Sequence, residues 1–219
     1  MYLSRLILNP RGRRVQRELD APYEMHRSLL RAFPANLADT GERILFRVDE
    51  LPAFAAPAVL IQSHLLPDWS WMEEDSGARD YLLPVSVPNP AVKPVDLQLA
   101  RGQTLTFRLR ANPTVKKEDE SGRPVRHGLL KEEQQQAWLN RKAEAGGFRI
   151  LSANAAREGT VGGRIHDGDT THNLTLLAVR FDGLLQVVDP ERLIATVQQG
   201  IGSGKGLGFG LLSLARPPA

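Results

Sequence analysis

The sequence predicts an α+β protein, because one order of strands and helices occurs twice along the chain. Before a stretch punctuated by Pro88, Pro90 and Pro94 the order is β-α-β-β-(α)-β, and after it a similar order begins again. This order is typical of a ferredoxin-like (RRM-like) fold with an antiparallel sheet. We therefore predict tandem ferredoxin-like domains, at residues 1–92 and 93–219.

In the first half, alternating apolar residues predict a strand over residues 2–8, which Asn9-Pro10 ends. An arginine-rich loop is predicted next. A helix then starts at Ala21-Pro22 with Asp20 as its N-cap and runs to Phe33. The other predicted strands of this half cover residues 43–48, 57–65 and 81–87.

In the second half, apolar residues at 105, 107 and 109 alternate with polar ones, which predicts a strand over residues 104–111 with one buried face. Arg108 and Arg110 lie on its other face. A long basic loop is predicted over residues 112–126. The remaining predicted elements are helices over residues 129–145 and 190–199, the second capped by Asp189, strands over residues 148–152, 174–181, 184–188 and 209–214, and a turn at Asp182-Gly183.

Composition excludes several classes of protein. The chain has no cysteine, which rules out disulfides, zinc-thiolate sites and thiol nucleophiles. No run approaches the roughly 18 apolar residues of a membrane span, and the N-terminus lacks a signal-peptide pattern, so we expect a cytoplasmic location. The net charge is only +3, but residues 1–31 hold seven arginines against three acidic residues. Such a cluster is typical of a solvated face or of a nucleic-acid-binding surface.

A glycine-rich stretch near the C-terminus predicts that a ligand approaches the backbone closely. Residues 200–210 contain six glycines and Lys205, and backbone N–H groups beside a lysine can bind a phosphate. A Walker A loop fits poorly because Gln199 and Gly206 stand where glycine and a hydroxyl residue are needed, and the dinucleotide fingerprint is absent, so a nucleotide-dependent enzyme is the weakest alternative. A phosphate of a larger polyanion is the predicted ligand, a hinge or tight strand entry is the structural alternative, and no cofactor is expected.

The helix after Asp20 carries a candidate catalytic group. At 100° per residue, Tyr23, His26, Arg27 and Arg31 share one face, away from the apolar face. Histidine moves protons near neutral pH and arginine stabilises an oxyanion, which suits attack of an RNA 2′-hydroxyl on the adjacent phosphate. This reaction needs no metal, and the scattered carboxylates form no evident two-metal cluster. A structural role for His26 is the alternative.

Five segments, taken together and in order, resemble one known family. They are residues 2–10 from Tyr2-Leu3 to Asn9-Pro10, Pro22-Tyr23-Glu24-Met25-His26-Arg27, Phe107-Arg108-Leu109-Arg110-Ala111-Asn112-Pro113, Val187-Val188-Asp189-Pro190-Glu191-Arg192, and the glycine-rich loop through Gly210-Leu211-Leu212-Ser213. Over essentially its whole length the chain resembles the CRISPR repeat endoribonuclease of the type I-E Cascade complex, the CasE group of the RAMP superfamily.

This resemblance implies two ferredoxin-like domains and metal-independent cleavage of precursor CRISPR RNA at the base of the repeat hairpin. The implied products carry a 2′,3′-cyclic phosphate or 3′-phosphate and a 5′-hydroxyl. The implied partners are the repeat RNA, which the enzyme keeps after cleavage, and the other Cascade subunits, with no membrane. The main alternative is a RAMP subunit that binds CRISPR RNA without cleaving it.

By position, the resemblance makes Tyr23 and His26 the catalytic pair, without deciding which is the base and which the acid. Arg31 stands where a basic residue lies near the scissile phosphate, and Lys205 with its glycine-rich loop would support the RNA strand. The family's basic hairpin, which enters the groove of the RNA stem, matches residues 157–173. The predicted RNA-binding residues are Arg13, Arg14, Arg27, Arg31, Arg108, Arg110, Lys116, Lys117, Arg157, Arg164, His166, Gly202, Ser203, Gly204 and Lys205. For Arg108 and Arg110, a structural place on the sheet is an equal alternative.

Overall fold

The computed structural model describes residues 1–118, 122–167 and 170–218, with residues 38, 163–167 and 170–174 described by their backbone alone. The chain divides into two units. Unit 1 comprises Met1–Asp96 with Lys205–Gly208, and unit 2 comprises Leu97–Gly204 with Phe209–Ala219. The domain boundary that we predict between residues 92 and 93 stays a prediction.

Unit 1 is an antiparallel sheet with helices packed on it. Its strands are β1 (Tyr2–Ile7), β2 (Leu45–Leu51), β3 (Ala56–Ser63) and β4 (Ala91–Pro94), and its helices are α1 (Arg13–Asp20), α2 (Pro22–Leu30) and α3 (Trp71–Glu74). The strand order is β2-β3-β1-β4, with every neighbouring pair antiparallel. Met25 and Leu29 of α2 share one hydrophobic core with Leu6, Phe46 and Ile61 of the sheet, so the apolar face of α2 is the one predicted.

The segment before α2 differs from the prediction. The arginine-rich stretch predicted as a loop is helix α1, which buries Val15 and Glu18. A buried carboxylate takes the place of an apolar residue on this helix, so the apolar pattern was too weak to reveal it. Asp20 ends α1 and does not cap α2, whose N-cap is Ala21 with no side-chain hydrogen bond. Helix α2 ends at Leu30, and residues 31–33 continue it as a turn with backbone bonds three residues back.

The fourth strand of unit 1 is also displaced from its predicted position. Residues 81–87 form only an isolated bridge between Leu8 and Leu82, whereas β4 pairs with β1 inside the proline-rich stretch. Tyr81 is fully buried and donates to Glu18 Oε2 (2.7 Å). Tyr81 and Leu82 therefore pack against the core of unit 1. Asn89 bonds the backbone of Ile7 in both directions.

Unit 2 repeats the sheet topology of unit 1. Its strands are β5 (Thr104–Ala111), β6 (Thr114–Glu118), β7 (Pro124–Gly128), β8 (Phe148–Asp167), β9 (Thr170–Val187) and β10 (Leu212–Ala215), and its helices are α4 (Glu132–Ala145) and α5 (Pro190–Gln199). The sheet order is β10-β5-β9-β8, again antiparallel, so the predicted α+β fold of tandem ferredoxin-like units is confirmed. Asp189 accepts a hydrogen bond from the backbone N–H of Arg192 and caps α5 as predicted.

Two loops predicted for unit 2 are strands. The basic loop over residues 112–126 contains the hairpin of β6 and β7. The predicted turn at Asp182-Gly183 is wrong, because β9 runs through it and Gly183 lies opposite Phe107 on one side and Ala153 on the other. A Cβ on Gly183 would lie 2.0 Å from the carbonyl oxygen of Ser152, so glycine is needed for close strand approach at this position. In the part of the chain that the structure describes, no helix is long and apolar enough to cross a membrane.

Candidate active site

A cleft of about 630 Å³ lies in unit 1 beside α2. Its wall is formed by α2 and the turn that follows, by the segment that leads into β2, and by the Lys205-Gly206 segment. Its charged lining consists of four permanent cations and one carboxylate, namely Arg27, Arg31, Arg43, Lys205 and Glu42. The Glu42 carboxylate accepts a hydrogen bond from the backbone N–H of His64. The cleft is therefore suited to bind an anion.

His26 lies in the wall of this cleft with its imidazole against apolar groups. The ring is stacked on Phe46, with centroids 5.9 Å apart and planes 12° apart. A Cβ on Gly206 would lie 3.4 Å from both Cδ2 and Nε2 of His26, so the backbone of Gly206 passes directly beside this edge of the ring. Nδ1 is buried and has no hydrogen-bond partner among the described residues. Burial lowers the pKa of His26 below its ordinary value, which favours the neutral imidazole.

Of the other predicted residues of α2, Arg27 and Arg31 line the cleft with His26, whereas Tyr23 is not among the lining residues. Tyr23 lies one helical turn before His26 and is 41% exposed, so its phenol is open to solvent. Arg27 forms an exposed ion pair with Glu24 (3.2 Å). Arg31, at the end of the helix, donates to Asp75 and lies over the ring of Trp71. The structure thus brings His26, Arg27, Arg31 and Lys205 together around one cleft. The spacing on α2 predicts that the three helix residues share one face, but it does not predict that Lys205 lies beside them.

Arg14 is held inside unit 1 by three hydrogen bonds. Its Nε donates to Glu18 (2.8 Å), Nη2 to the hydroxyl of Ser28 (2.8 Å) and Nη1 to Asp75 (3.0 Å). Burial alone would lower the pKa of Arg14, but the bonds to the two carboxylates outweigh it and raise the pKa. These contacts connect α1 to α2 and to the segment after α3. They give Arg14 a structural role, and its predicted RNA contact stays a prediction. Arg13, at the start of α1, is exposed.

Arg108 and Arg110 belong to a row of alternating charges on the sheet of unit 2. Asp182 accepts from Arg108 and from Arg180 (2.8 Å), and Glu158 accepts from Arg180 (3.2 Å) and Arg110 (2.7 Å). Burial would raise the pKa of Asp182, but the two arginines outweigh it and lower the pKa. The structural alternative for Arg108 and Arg110 accounts for all of these contacts, and their role in RNA binding stays a prediction.

Further predicted cations lie on exposed strands of unit 2. Lys116 and Lys117 of β6 are exposed, and Lys116 lies opposite Arg126 of β7. The basic segment thus presents its charges on a two-stranded hairpin. Arg157 is exposed on β8. The backbones of Arg164 and His166 also lie on β8, but their side chains are outside the described residues.

Two glycines of the glycine-rich loop, Gly202 and Gly204, are packed closely against other residues of unit 2. Gly202 and Gly204 have φ of +86° and +81°, and a Cβ on Gly204 would lie 2.7 Å from Leu176 Cδ1. The Ser203 hydroxyl is buried without a hydrogen-bond partner among the described residues. The tight-packing alternative thus explains Gly202 and Gly204. Lys205 begins a 3₁₀ turn, Lys205–Leu207, and reaches the cleft.

Four residues of the site were missed by the sequence analysis: Arg43, Phe46, Asp75 and Gly206. Arg43 is exposed in the cleft and has no ion pair in the part of the chain that the structure describes. For Gly206 the sequence does contain a signal, because this residue lies in the glycine-rich stretch over residues 200–210. Among the same residues no group of three or more histidines and carboxylates is arranged to hold a metal ion.

A family model described as CRISPR associated protein matches residues 1–216. The chain belongs to this family, in the CasE group of type I-E Cascade. A CasE-family relative from Thermus thermophilus, CRISPR-associated endoribonuclease Cse3, is 40% identical over 229 residues, which cover 98% of this chain and 100% of the relative. The CRISPR system Cascade subunit CasE of Escherichia coli is 35% identical over 226 residues, or 98% of this chain and 99% of that relative. A solved structure of Cse3 bound to a 19-nucleotide RNA covers 98% of this chain and 100% of that one, with a TM-score of 0.81 and 39% identity.

Proposed function

We propose that this chain is an endoribonuclease that cleaves precursor CRISPR RNA at the base of the repeat hairpin without a metal ion. It then keeps the processed RNA and acts in the cytoplasm as a subunit of Cascade. The relatives named as an endoribonuclease and as a Cascade subunit support this proposal. The observation that carries it is the imidazole of His26 in the wall of a cleft lined by four cations.

The reaction needs only the RNA itself and two groups that move protons. The 2′-hydroxyl oxygen attacks the adjacent phosphorus, the bond from phosphorus to the 5′ oxygen breaks, and a 2′,3′-cyclic phosphate and a 5′-hydroxyl result. One proton leaves the 2′ oxygen and one reaches the 5′ oxygen, so the step is balanced without water. A neutral imidazole is the form that accepts a proton, which favours His26 as the base and the exposed phenol of Tyr23 as the acid.

The cations of the cleft stabilise the charge that grows on the phosphate oxygens during attack. Arg27, Arg31, Arg43 and Lys205 line the same cleft as His26, and charges fixed before the reaction lower its barrier more than charges that must rearrange. Arg31 is the one that we assign to the scissile phosphate.

Predicted RNA-binding residues outside the cleft bind the rest of the RNA through its phosphates, and so add salt-dependent affinity. Of these, Arg13, Lys116, Lys117 and Arg157 are exposed, and we also propose RNA contacts for Arg164 and His166, whose backbones lie on β8. The segment Gly202-Ser203-Gly204 with Lys205 supports the RNA strand beside the cleft. Arg108 and Arg110 are further proposed phosphate contacts, from the sheet of unit 2.

The test is to incubate the purified protein with a repeat hairpin RNA in excess EDTA. The proposal predicts a single cut at the base of the hairpin, a cyclic phosphate on the upstream product and a hydroxyl on the downstream one. A single 2′-deoxy nucleotide at the cut site should prevent cleavage and leave binding intact. Binding without cleavage would instead make the chain a non-catalytic RNA-binding subunit, and cleavage that EDTA abolishes would make it metal-dependent.

A further inference from the structure

Arg31 is held at the edge of the cleft by two groups that the reaction does not use. We propose that Asp75, together with Trp71, is a positioning residue for RNA cleavage that fixes the Arg31 guanidinium for the scissile phosphate. This inference rests on the proposed function. It adds a residue from the segment that follows α3, in which the sequence predicts no site residue.

The contacts of Arg31 fix the guanidinium in two ways. Nη1 of Arg31 donates to Oδ2 of Asp75, and the guanidinium carbon lies 4.2 Å from the centroid of the Trp71 ring. The ion pair restrains the end of the side chain and the stacking restrains its plane. A guanidinium has five N–H donors in a rigid fork, so the remaining donors can still bond two oxygens of a phosphate. The side chain therefore loses much of its freedom before RNA arrives.

Asp75 is itself rigidly anchored. Its Oδ1 accepts from the backbone N–H of Gly77 (2.8 Å), and its Oδ2 accepts from Arg14 (3.0 Å) as well as from Arg31. The bond from Arg31, then the Gly77 N–H and Arg14, hold the pKa of Asp75 at about 2, so it stays ionised in any practical assay. Arg14 is fixed in turn by the buried carboxylate of Glu18. A continuous set of bonds thus runs from the interior of unit 1 to Arg31.

Arg27 lines the same cleft, but its only ion-pair partner among the described residues is a half-exposed residue of its own helix. It pairs with Glu24 three residues earlier on the same helix, and the two side chains are 64% and 47% exposed. Arg31 is 43% exposed and its partner Asp75 only 27%. An exposed ion pair such as Arg27–Glu24 does little to fix the orientation of its side chains. The two arginines therefore have different roles: Arg31 is held in position, and Arg27 adds positive charge.

The test is to compare Asp75→Asn with the matched control Asp68→Asn in single-turnover cleavage and in binding of a 2′-deoxy substrate. Asp68 accepts from the N–H of Ser70 two residues later, as Asp75 does from Gly77, but it contacts no arginine among the described residues. We expect Asp75→Asn to slow cleavage about tenfold, with binding changed less than about threefold, because a misplaced group costs rate more than affinity. Asp68→Asn should cleave like the unchanged protein.

A double variant shows whether Asp75 acts through Arg31. Arg31→Ala should slow cleavage about a hundredfold, and adding Asp75→Asn to it should slow cleavage no further. Arg31→Lys keeps the positive charge but loses the fork of N–H donors, and it should behave like Arg31→Ala. Because Arg31 is on the surface, this variant tests the proposal even if Asp75→Asn does not fold.

The inference is overturned if Asp75→Asn cleaves at the rate of Asp68→Asn, if its effect is undiminished in Arg31→Ala, or if Arg31→Lys is fully active. Failure of the unchanged protein to cleave would instead refute the proposed function.

Discussion

The imidazole of His26 is stacked on Phe46, a residue with no exposed surface. Phe46 lies on β2 and His26 on α2, so the sheet supplies part of the apolar surroundings of this ring. Because burial disfavours the imidazolium, the pKa of His26 in the folded protein lies below its ordinary value near 6.5.

This lowered pKa makes the free energy of unfolding depend on pH. The unfolded chain binds a proton at His26 more readily than the folded chain, so the contribution of His26 is complete above about pH 6.5 and is lost as the pH falls toward the folded pKa. We expect urea unfolding at pH 7.5, 6.5 and 5.5 to show a loss of stability in the natural protein that His26→Gln reduces. Identical pH dependence in the two proteins would contradict the burial of the ring.

Gly206 leaves room at the reactive edge of His26. A Cβ there would lie at contact distance, 3.4 Å, from Nε2, so an added side chain fits but would fill the space beside Nε2 into which we propose that the RNA binds. Gly206→Ala is expected to slow cleavage about tenfold and Gly206→Val about a hundredfold, with little change in melting temperature. The measurement is single-turnover cleavage beside thermal unfolding. A fully active Gly206→Val would mean that substrate does not approach this edge.

Arg43 is a cation of the cleft that we expect to contact RNA phosphate. Arg43→Ala should weaken RNA binding and lower the slope of log affinity against log salt by about 0.7, the value for one contact to a single strand. Arg79→Ala removes the same charge from an exposed position outside the cleft lining and is the matched control. The assignment fails if the two variants have the same salt dependence.

Glu18 is the buried centre of the bonds that join α1, α2 and the segment before β4. It is 2% exposed and accepts from Arg14, Ser28 (2.6 Å) and Tyr81 (2.7 Å). Glu18→Gln removes the buried charge that Arg14 bonds, although Arg14 keeps Asp75 as a second ion-pair partner, so the variant should lower the free energy of unfolding by about 2 kcal/mol. Ser28→Ala, which removes a neutral partner, should cost about 1 kcal/mol. Equal costs in urea unfolding would show that the charge is not decisive.

Short sequence patterns predict much of the fold. The alternation over Thr104–Ala111 places every second side chain in the core, and Asp189 caps α5, because both signals lie within a few residues of the structure that they determine. The spacing on α2 likewise puts His26, Arg27 and Arg31 on the cleft side. These features depend on short-range geometry that a single sequence contains.

Contacts between distant segments could not be predicted in the same way. Phe46, Asp75 and Gly206 meet the residues of α2 only in the folded unit, and no spacing in the sequence relates them to position 26 or 31. Helix α1 was missed because its buried face depends on the pairing of Glu18 with Arg14. The sequence predicts a turn at Gly183, but glycine is favoured both in turns and where two strands approach closely, and the structure has the close approach.

The measurement that tests the account most directly is the comparison of cleavage and binding in His26→Ala. With a repeat hairpin RNA in EDTA, we predict that the single-turnover rate falls by at least about a hundredfold while affinity for the 2′-deoxy hairpin stays within about threefold. Loss of both would make α2 a binding or folding element, and unchanged cleavage would show that His26 is not the catalytic base.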